Sequence, residues 1–549
     1  MASTDFTATY GGIAADRRGA VLDDAHIGDI HGALGTIRHG ATAPLGLSAK
    51  VKALLAIVGP GLIVMVGDND AGAFATYGQA GQNYGTALLW TLLLLVPVLY
   101  VNQEMVLRLG AVTGVGHARL ILERFGRFWG AFSVIDLFLL NALTLVTEFI
   151  GITLAAGYLG LPKVPSVILA GLVIMVAAST GSFRRFERVA VALCAASLLL
   201  VPVYVMVHPA ASQVARGFLI PSLPAGPGGM AALMLLVIGI VGTTVAPWQL
   251  FFQQSYVIDK RITPRFIAYE KADLVIGILV VIIGAAAMMG FTAAAFAGTE
   301  AAGNFTDSAG IAHGLQAYAG RTAGALFAIA LLDACIIGAF AVCLSTAYAI
   351  GDVLSLNHSL HRGIGQAKGF YAVYAGLIAA AATIVLIPSS PLGLLTEGVQ
   401  ALAGVLLPSA SVFLLLLCND RQVLGPWVNG RATNLFTSAV VGVLVTLSII
   451  LTIAVLFPGV TETQILTIMG GCGVAGAICA GYAAVRRRRF AAEPVDRTGR
   501  QCWRMPPLTE LSRPVMSNGR RIGMSVLRLY LGLATVLVIF KIVQMGLGH

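Results

Sequence analysis

The sequence predicts an all-α, polytopic membrane protein, and three observations carry that reading. Of 549 residues, 57% are hydrophobic and 11% charged, with a mean hydropathy of +0.86. Apolar stretches of roughly twenty residues, each about one bilayer span long, recur along the whole chain. The Lys and Arg residues behind the formal net charge of +10 gather in alternate connections between those stretches.

Spans fall near residues 53–81, 85–108, 129–158, 164–181, 188–208, 230–258, 271–298, 322–350, 370–388, 391–417, 433–457 and 463–485, which makes twelve. Connections after even-numbered spans carry Arg119, Arg124 and Arg127; Arg184, Arg185 and Arg188; Lys260, Arg261 and Arg265; Arg362 and Lys368; Arg421 and Arg431; and Arg486 to Arg489. The opposite connections hold only Lys163, Arg216 and Arg321. Such asymmetry orients the chain in a plasma (inner) membrane with its amino terminus and basic loops in the cytoplasm. It also accounts for the positive charge through the lipid bilayer, with no nucleic-acid partner. Residues 1–50 mix Asp, His, Arg and Gly without periodicity and show no cleavable signal, so they read as a flexible cytoplasmic tail. At the other end, the apolar run Val526 to Gly548 contains Arg528 and Lys541 and fits either a thirteenth span or an interfacial helix.

Cys194, Cys335, Cys343, Cys418, Cys472, Cys479 and Cys502 lie mostly inside spans, without CxxC or Cys/His ligand spacing, and read as small core residues. The chain has no GxxxxGK[ST] loop, which argues against an ATP-driven pump and for transport driven by gradients or membrane potential.

Two spans are interrupted at their centres. The first break is Gly67-Asp68-Asn69-Asp70-Ala71-Gly72; the second is Thr243-Thr244-Val245-Ala246-Pro247-Trp248. Unwound backbone persists at membrane depth only where protein, water or an ion satisfies its carbonyls. Interrupted spans in matching positions mark transporter binding sites, and a carboxylate at the break makes a cation the natural occupant.

The run from Gly59 to Thr76, opening Gly-Pro-Gly and closing Phe-Ala-Thr, resembles the first span of the Nramp family of divalent-metal transporters. Supporting matches are Gln103-Glu104, Arg108-Leu109-Gly110 with Val112-Thr113-Gly114, Glu148-Phe149-Ile150-Gly151, Gln400 eight residues before Pro408, and Asn419-Asp420-Arg421. The resemblance implies a LeuT-type fold of five-plus-five inverted repeats with spans 1 and 6 broken. It divides the chain into the tail 1–50, a first repeat 51–220, a second repeat 225–420, spans 11 and 12 in 430–485, and a basic segment with an apolar helix in 486–549. By the same resemblance Asp70 falls on the metal-binding Asp, and the metal-binding Asn becomes Ala73. The Met-Pro-His triplet of the sixth span becomes Ala246-Pro247-Trp248. The implied metal shell is the Asp70 carboxylate, main-chain oxygens near Gly67 and Thr243, and Gln400, with Ala73 and Ala246 lining it passively.

These departures resemble the Nramp-related magnesium transporters. Thioether sulfur suits soft or borderline metals, whereas oxygen ligands and water suit Mg²⁺, which usually retains several waters. The leading expectation is therefore a non-enzymatic importer of largely hydrated Mg²⁺, without obligatory proton coupling or any cofactor. The alternative is a proton-coupled Mn²⁺ or Fe²⁺ transporter, and a more remote one is a LeuT-type carrier of an organic solute.

Other polar residues have two readings each. Asp68 either attracts cations or caps the break. Glu148 lies on an acidic position of the family's proton route or is a structural acid. The route's companion Asp is Leu145 here, and Trp248 and Gln253 stand where histidines occur. Asp333 and Glu397 either line a polar pathway or are, respectively, an interhelical hydrogen-bonding group and a span-end residue. Trp248 is a vestibule wall or a packing residue.

Overall fold

The computed structural model describes residues 24–41, 46–224, 229–387, 399, 409–457, 461–489, 495–512, 514, 521–533 and 536. After a two-stranded hairpin (β1, Ile30–His31; β2, Thr36–Ile37) the chain is helical. The helices are α1 (Leu47–Ile57), α2 (Pro60–Val66), α3 (Ala71–Tyr84), α4 (Leu89–Thr113), α5 (His117–Phe125), α6 (Arg127–Tyr158) and α7 (Lys163–Ala178). They continue as α8 (Phe183–Ala196), α9 (Leu200–Val207), α10 (Ala211–Leu219), α11 (Gly229–Thr244), α12 (Pro247–Asp259), α13 (Ile267–Phe296), α14 (Ser308–Ala319), α15 (Arg321–Leu354) and α16 (Lys368–Leu386). The last are α17 (Ser409–Cys418), α18 (Arg421–Leu424), α19 (Arg431–Leu456), α20 (Glu462–Arg489) and α21 (521–533).

Among the described residues, nine helical stretches are long and apolar enough to cross a membrane, or ten with the bent pair α1 and α2. Two shorter apolar helices, α7 and α17, stand where the sequence places its fourth and tenth spans. Most of that tenth stretch, including Glu397 and Gln400, lies outside the described residues.

Two expectations are corrected. The first span is divided twice, not once: besides the break at Gly67–Asp70, a 50° bend separates α1 from α2. Pro60 occupies the first turn of α2, and proline disfavours helical geometry in the residue before it, so α1 cannot run through Gly59. The second correction concerns the amino-terminal tail. Residues 24–41 are not a loose extension, because their hairpin is docked on the bundle with Ile30 and Ala33 buried.

The core brings α2 against α13 at backbone distance. A Cβ on Gly61 would come within 2.6 Å of the Leu274 nitrogen, and one on Gly277 within 2.6 Å of the Gly61 carbonyl. Glycine at both crossing points lets the helices approach this closely. Several residues that carried the family resemblance are structural anchors. Arg108 donates to the Trp427 carbonyl (2.5 Å) and to Asn429 Oδ1 (2.6 Å) and pairs with Glu104 at 3.1 Å. Asp420 caps α18 and pairs with Arg124 at 2.6 Å. The carboxyl-terminal run begins as α21 against the bundle, with the Tyr530 hydroxyl 2.7 Å from Ser448 Oγ. The Arg528 guanidinium sits 3.7 Å from the Phe128 ring centre, while residues 537–549 lie outside the described residues.

Candidate functional site

The two breaks form where side chains and prolines intercept the helical hydrogen-bond ladder. In an unbroken helix the Ala71 N–H would bond the Gly67 carbonyl; here it donates to Glu148 Oε2 on α6 at 3.2 Å. The Ala73 N–H, which would serve the Asn69 carbonyl, donates to Asp70 Oδ1 at 2.9 Å. Asp70 is therefore the N-cap of α3, with extended backbone (φ −80°, ψ −171°) and its carboxylate across the first-turn amides. At the second break Pro247 has no N–H, so the Thr243 carbonyl loses the donor that residue 247 would supply. Ala246 is extended (φ −86°, ψ 143°) and α12 starts afresh at Pro247. Carbonyl-bearing carboxyl ends of α2 and α11 thus meet the site, a favourable setting for a cation.

Side chains cross-link the breaks. The Gln249 amide on α12 donates to Asp68 Oδ1 and, at 3.3 Å, to the Thr244 carbonyl. Its own oxygen accepts from Gln103 Nε2 on α4 at 2.8 Å. The Tyr77 hydroxyl on α3 lies 2.7 Å from Thr244 Oγ1, and Asn69 Nδ2 donates to the Val281 carbonyl of α13 at 3.2 Å. Asp68, Asp70, Glu148, Gln103 and Gln249 are all buried. In this low-dielectric setting each unmet polar group is costly, so the network fixes the relative position of the two broken spans.

Of the residues expected at the metal site, Asp70 caps α3, Gly67 caps the end of α2, and Ala73, Thr243 and Ala246 are buried beside the breaks. Gln400 lies outside the described residues, as does the pathway candidate Glu397. The local cap at the first break is Asp70; Asp68 reaches across to α12, which corrects the capping alternative. Glu148 sits beside Asp70, since a Cβ on Gly338 would come within 2.9 Å of Glu148 Oε1 and 3.0 Å of Asp70 Cβ.

Trp248 is 1% exposed and packs edge-on against Phe252. Its ring is also 3.5 Å from where a Gly67 Cβ would stand. It fills space at the break, the packing reading. Asp333 does not show the interhelical hydrogen bond anticipated for it, because its buried Oδ2 has no partner among the described residues. Asp333 and Cys335 are two positions apart, about 200° around the helix, so Asp333 faces away from the side of α15 that meets Gly151 and Ala71.

Gln249, Gln103, Tyr77, Thr244 and Asn69 escaped the sequence reading as site residues. Their signal was a polar amide or hydroxyl within or beside the broken spans, where such groups act as interhelical glue. Among the described residues no three His, Cys, Asp or Glu side chains converge as a metal-binding group. The donors here are carboxylates, amides, hydroxyls and freed carbonyls, a set of hard oxygen ligands.

Comparison with known proteins agrees with this geometry. The family model "Nramp: Natural resistance-associated macrophage protein-like" matches residues 61–454. A relative from Ralstonia nicotianae named "Divalent metal cation transporter MntH" is 30% identical over 402 residues, covering 70% of this chain and 87% of its own length. One of the same name from Klebsiella pneumoniae is 26% identical over 422 residues, with 73% and 94% covered. The crystal structure of the Eremococcus coleocola manganese transporter, in complex with an aromatic bis-isothiourea substituted compound, superposes with a TM-score of 0.66 at 21% identity. It covers 86% of this chain and 100% of that one.

Proposed function

From the premise that this chain belongs to the Nramp family, we propose that it is a secondary transporter of divalent metal cations. The ion binds between the two breaks at Asp70, and access alternates between the two sides of a plasma (inner) membrane. The observation that carries this reading is Asp70 itself: a buried carboxylate at an unwound mid-span segment, flanked by carbonyls released from both helices. Twelve spans in five-plus-five repeats over 51–220 and 225–420, with the amino terminus and basic loops in the cytoplasm, belong to the same proposal.

Two observations bear on which ion is carried. The relatives are named as divalent metal cation transporters and the solved neighbour as a manganese transporter, which together favour the proton-coupled Mn²⁺ or Fe²⁺ alternative. Proton coupling gains support from Glu148, whose carboxyl lies beside Asp70 and bonds the break directly. The absence of sulfur at Ala246 and of an amide at Ala73 is the specific feature that favours hydrated Mg²⁺.

Influx of Mg²⁺ and of Mn²⁺ into proteoliposomes, with an internal pH dye, separates these readings. Mn²⁺ uptake with acidification supports the proton-coupled manganese carrier; saturable Mg²⁺ uptake without acidification supports the magnesium importer. Failure to carry either ion, with correctly inserted protein, would overturn the divalent-metal assignment.

A further inference from the structure

Residues 495–512 follow α20 and lie beyond the stretch 61–454 that matches the Nramp family model, so family membership gives them no role. They pack across the connections that carry the basic residues, with Trp503, Met505 and Leu508 partly buried against the core. The backbone is extended and stiff. Trp503 (φ −79°, ψ 135°) and Pro507 (φ −51°, ψ 142°) are near polyproline geometry, and Pro506-Pro507 restricts the chain between Met505 and Leu508.

Two separate parts of the bundle hold this segment. At one grip the Met505 N–H donates to the Val112 carbonyl at the end of α4, at 3.3 Å. Beside it the turn Arg500–Cys502 lies against the turn Pro264–Phe266, which joins α12 to α13. At the other grip the Trp427 indole N–H donates to the Arg500 carbonyl at 2.7 Å, and the Arg500 guanidinium covers the Trp427 ring at 4.8 Å from its centre. The Trp503 ring fits against Gly425, where φ is +48° and a Cβ would run into the indole; glycine is required there on both counts. Farther along, Arg124 Nη1 of α5 donates to the Ser512 carbonyl at 2.7 Å, and Gln422 Nε2 of α18 donates to Ser512 Oγ at 2.6 Å.

The two grips differ in their relation to the ion site. Helices α4 and α12 carry the Gln103–Gln249 bond beside the breaks, and a Cβ on Gly110 of α4 would come within 2.8 Å of the Gln254 carbonyl of α12. These two helices are thus packed to move together with the second break. Gln422, Gly425 and Trp427 belong instead to the connection between α17 and α19, which supplies none of the described groups that meet at the breaks. Access alternates when one group of helices rocks against the other. One joint between the two parts is direct, since Arg108 of α4 donates to the Trp427 carbonyl. The segment 495–512 holds the same tryptophan by its N–H and its ring face. The joint therefore opens fully only when both layers give.

We propose that residues 495–512 are an autoinhibitory clasp: docked, they brace the joint between α4 and Trp427 and slow the rocking step; released, they let the transporter turn over faster. The inference rests on the transport reading. Trp427 and Trp503 are positioning residues that do not touch the ion, so the clasp acts on the rate of transport and not on affinity for the cation. Each neutral hydrogen bond of the clasp shifts the balance between docked and released forms by about two- to tenfold. Contacts of that strength can form and break within a transport cycle.

The test compares the full-length wild type with Trp427→Phe, which removes the indole N–H and leaves the carbonyl for Arg108, with Trp503→Ala, and with the double variant. Hydrogen–deuterium exchange in nanodiscs, read at 497–505, reports release of the clasp. Uptake of Mn²⁺ and of Mg²⁺ into proteoliposomes, scaled to correctly inserted protein, reports maximal rate and half-saturation. Each single variant is expected to exchange about two- to tenfold faster at 497–505 and to gain maximal uptake in the same order, with half-saturation unchanged. The double variant should exceed both. Faster exchange at 497–505 with maximal uptake unchanged or lowered would overturn the proposal, because the segment would then be a structural brace alone. Unchanged exchange in the double variant would overturn it too, since the two tryptophans would not be what holds the segment. A wild type that carries neither ion would refute the transport reading instead, while the exchange measurement still reports whether the clasp is held as described.

Discussion

Replacing Asp70 with asparagine and, separately, with alanine divides the two roles that the structure gives this residue. Its Oδ1 accepts the Ala73 N–H at 2.9 Å as the N-cap of α3. Asparagine caps about as well as aspartate, whereas alanine at such a position costs about 1 kcal/mol. The charge is a separate matter. A divalent ion about 4 Å from one carboxylate, at an effective dielectric near 20, is attracted by about 8 kcal/mol before desolvation. If a quarter of that survives, the net is about 2 kcal/mol, or roughly thirtyfold in affinity. Asp70→Asn is therefore expected to melt close to wild type yet to raise the half-saturation for cation uptake about thirtyfold or more. Asp70→Ala loses uptake to the same degree and also loses about 1 kcal/mol of stability. Thermal unfolding and proteoliposome uptake, measured on the same preparations, supply both numbers. An asparagine variant that takes up cation with wild-type half-saturation would refute the reasoning, because the charge would then do nothing that the amide cannot.

Three further outcomes follow from the contacts described. Gln249→Leu strands the Asp68 carboxyl and the Gln103 amide in a buried setting. At about 1–3 kcal/mol per orphaned group it should lower the melting temperature and raise half-saturation for the cation; unchanged values in both would show that the cross-link between the breaks is dispensable. Gly61→Val drives a side chain into the Leu274 backbone, 2.6 Å from where even a Cβ would stand. Overpacking of this kind costs about 1–3 kcal/mol or more, so the variant should elute as aggregate in size exclusion, and a monodisperse wild-type-like peak counts against the α2–α13 contact.

The third concerns pH, through His358 in the connection between α15 and α16. Burial pulls this imidazole down, but the Asp352 carboxylate hydrogen-bonded to it at 3.1 Å outweighs burial and raises it to about 9. A raised histidine stabilises the folded state fully below its ordinary value near 6.5 and loses that contribution as pH rises through 9. The wild type should therefore melt progressively lower between pH 6.5 and 9.5, by up to about 3 kcal/mol from this group, and His358→Gln should flatten that part of the profile. An identical slope in the variant would assign the pH dependence to other groups.

Much of the frame was legible because membrane insertion imposes strong local rules. Length and apolarity of the runs, and the alternation of basic connections, need no tertiary information. The two breaks were visible for the same reason, since an Asp-Asn-Asp run and a central proline are unfavourable in lipid unless the site is built around them. Asp70 was legible as a residue but not in its full role: that it caps α3 depends on the chain direction at Ala73. Gln249 was hidden because a single glutamine in an apolar helix has no pattern; only the approach of α12 to Asp68 makes it a cross-link.

The amino-terminal segment illustrates the opposite case. Its composition has no periodicity and signals no element, yet it is held by partners more than a hundred and fifty positions away, such as Glu187 and Arg261. By itself the sequence determined that this chain is a bundle of membrane helices, that two of them are interrupted, and that a carboxylate stands at one interruption. Only the tertiary structure decided which groups meet across the breaks, and that residues 24–41 belong to the bundle. Hydrophobic length and charge asymmetry act residue by residue along the chain. The hydrogen bonds of Gln249, Glu187 and Arg261 come into being only when distant segments are brought within about 3 Å.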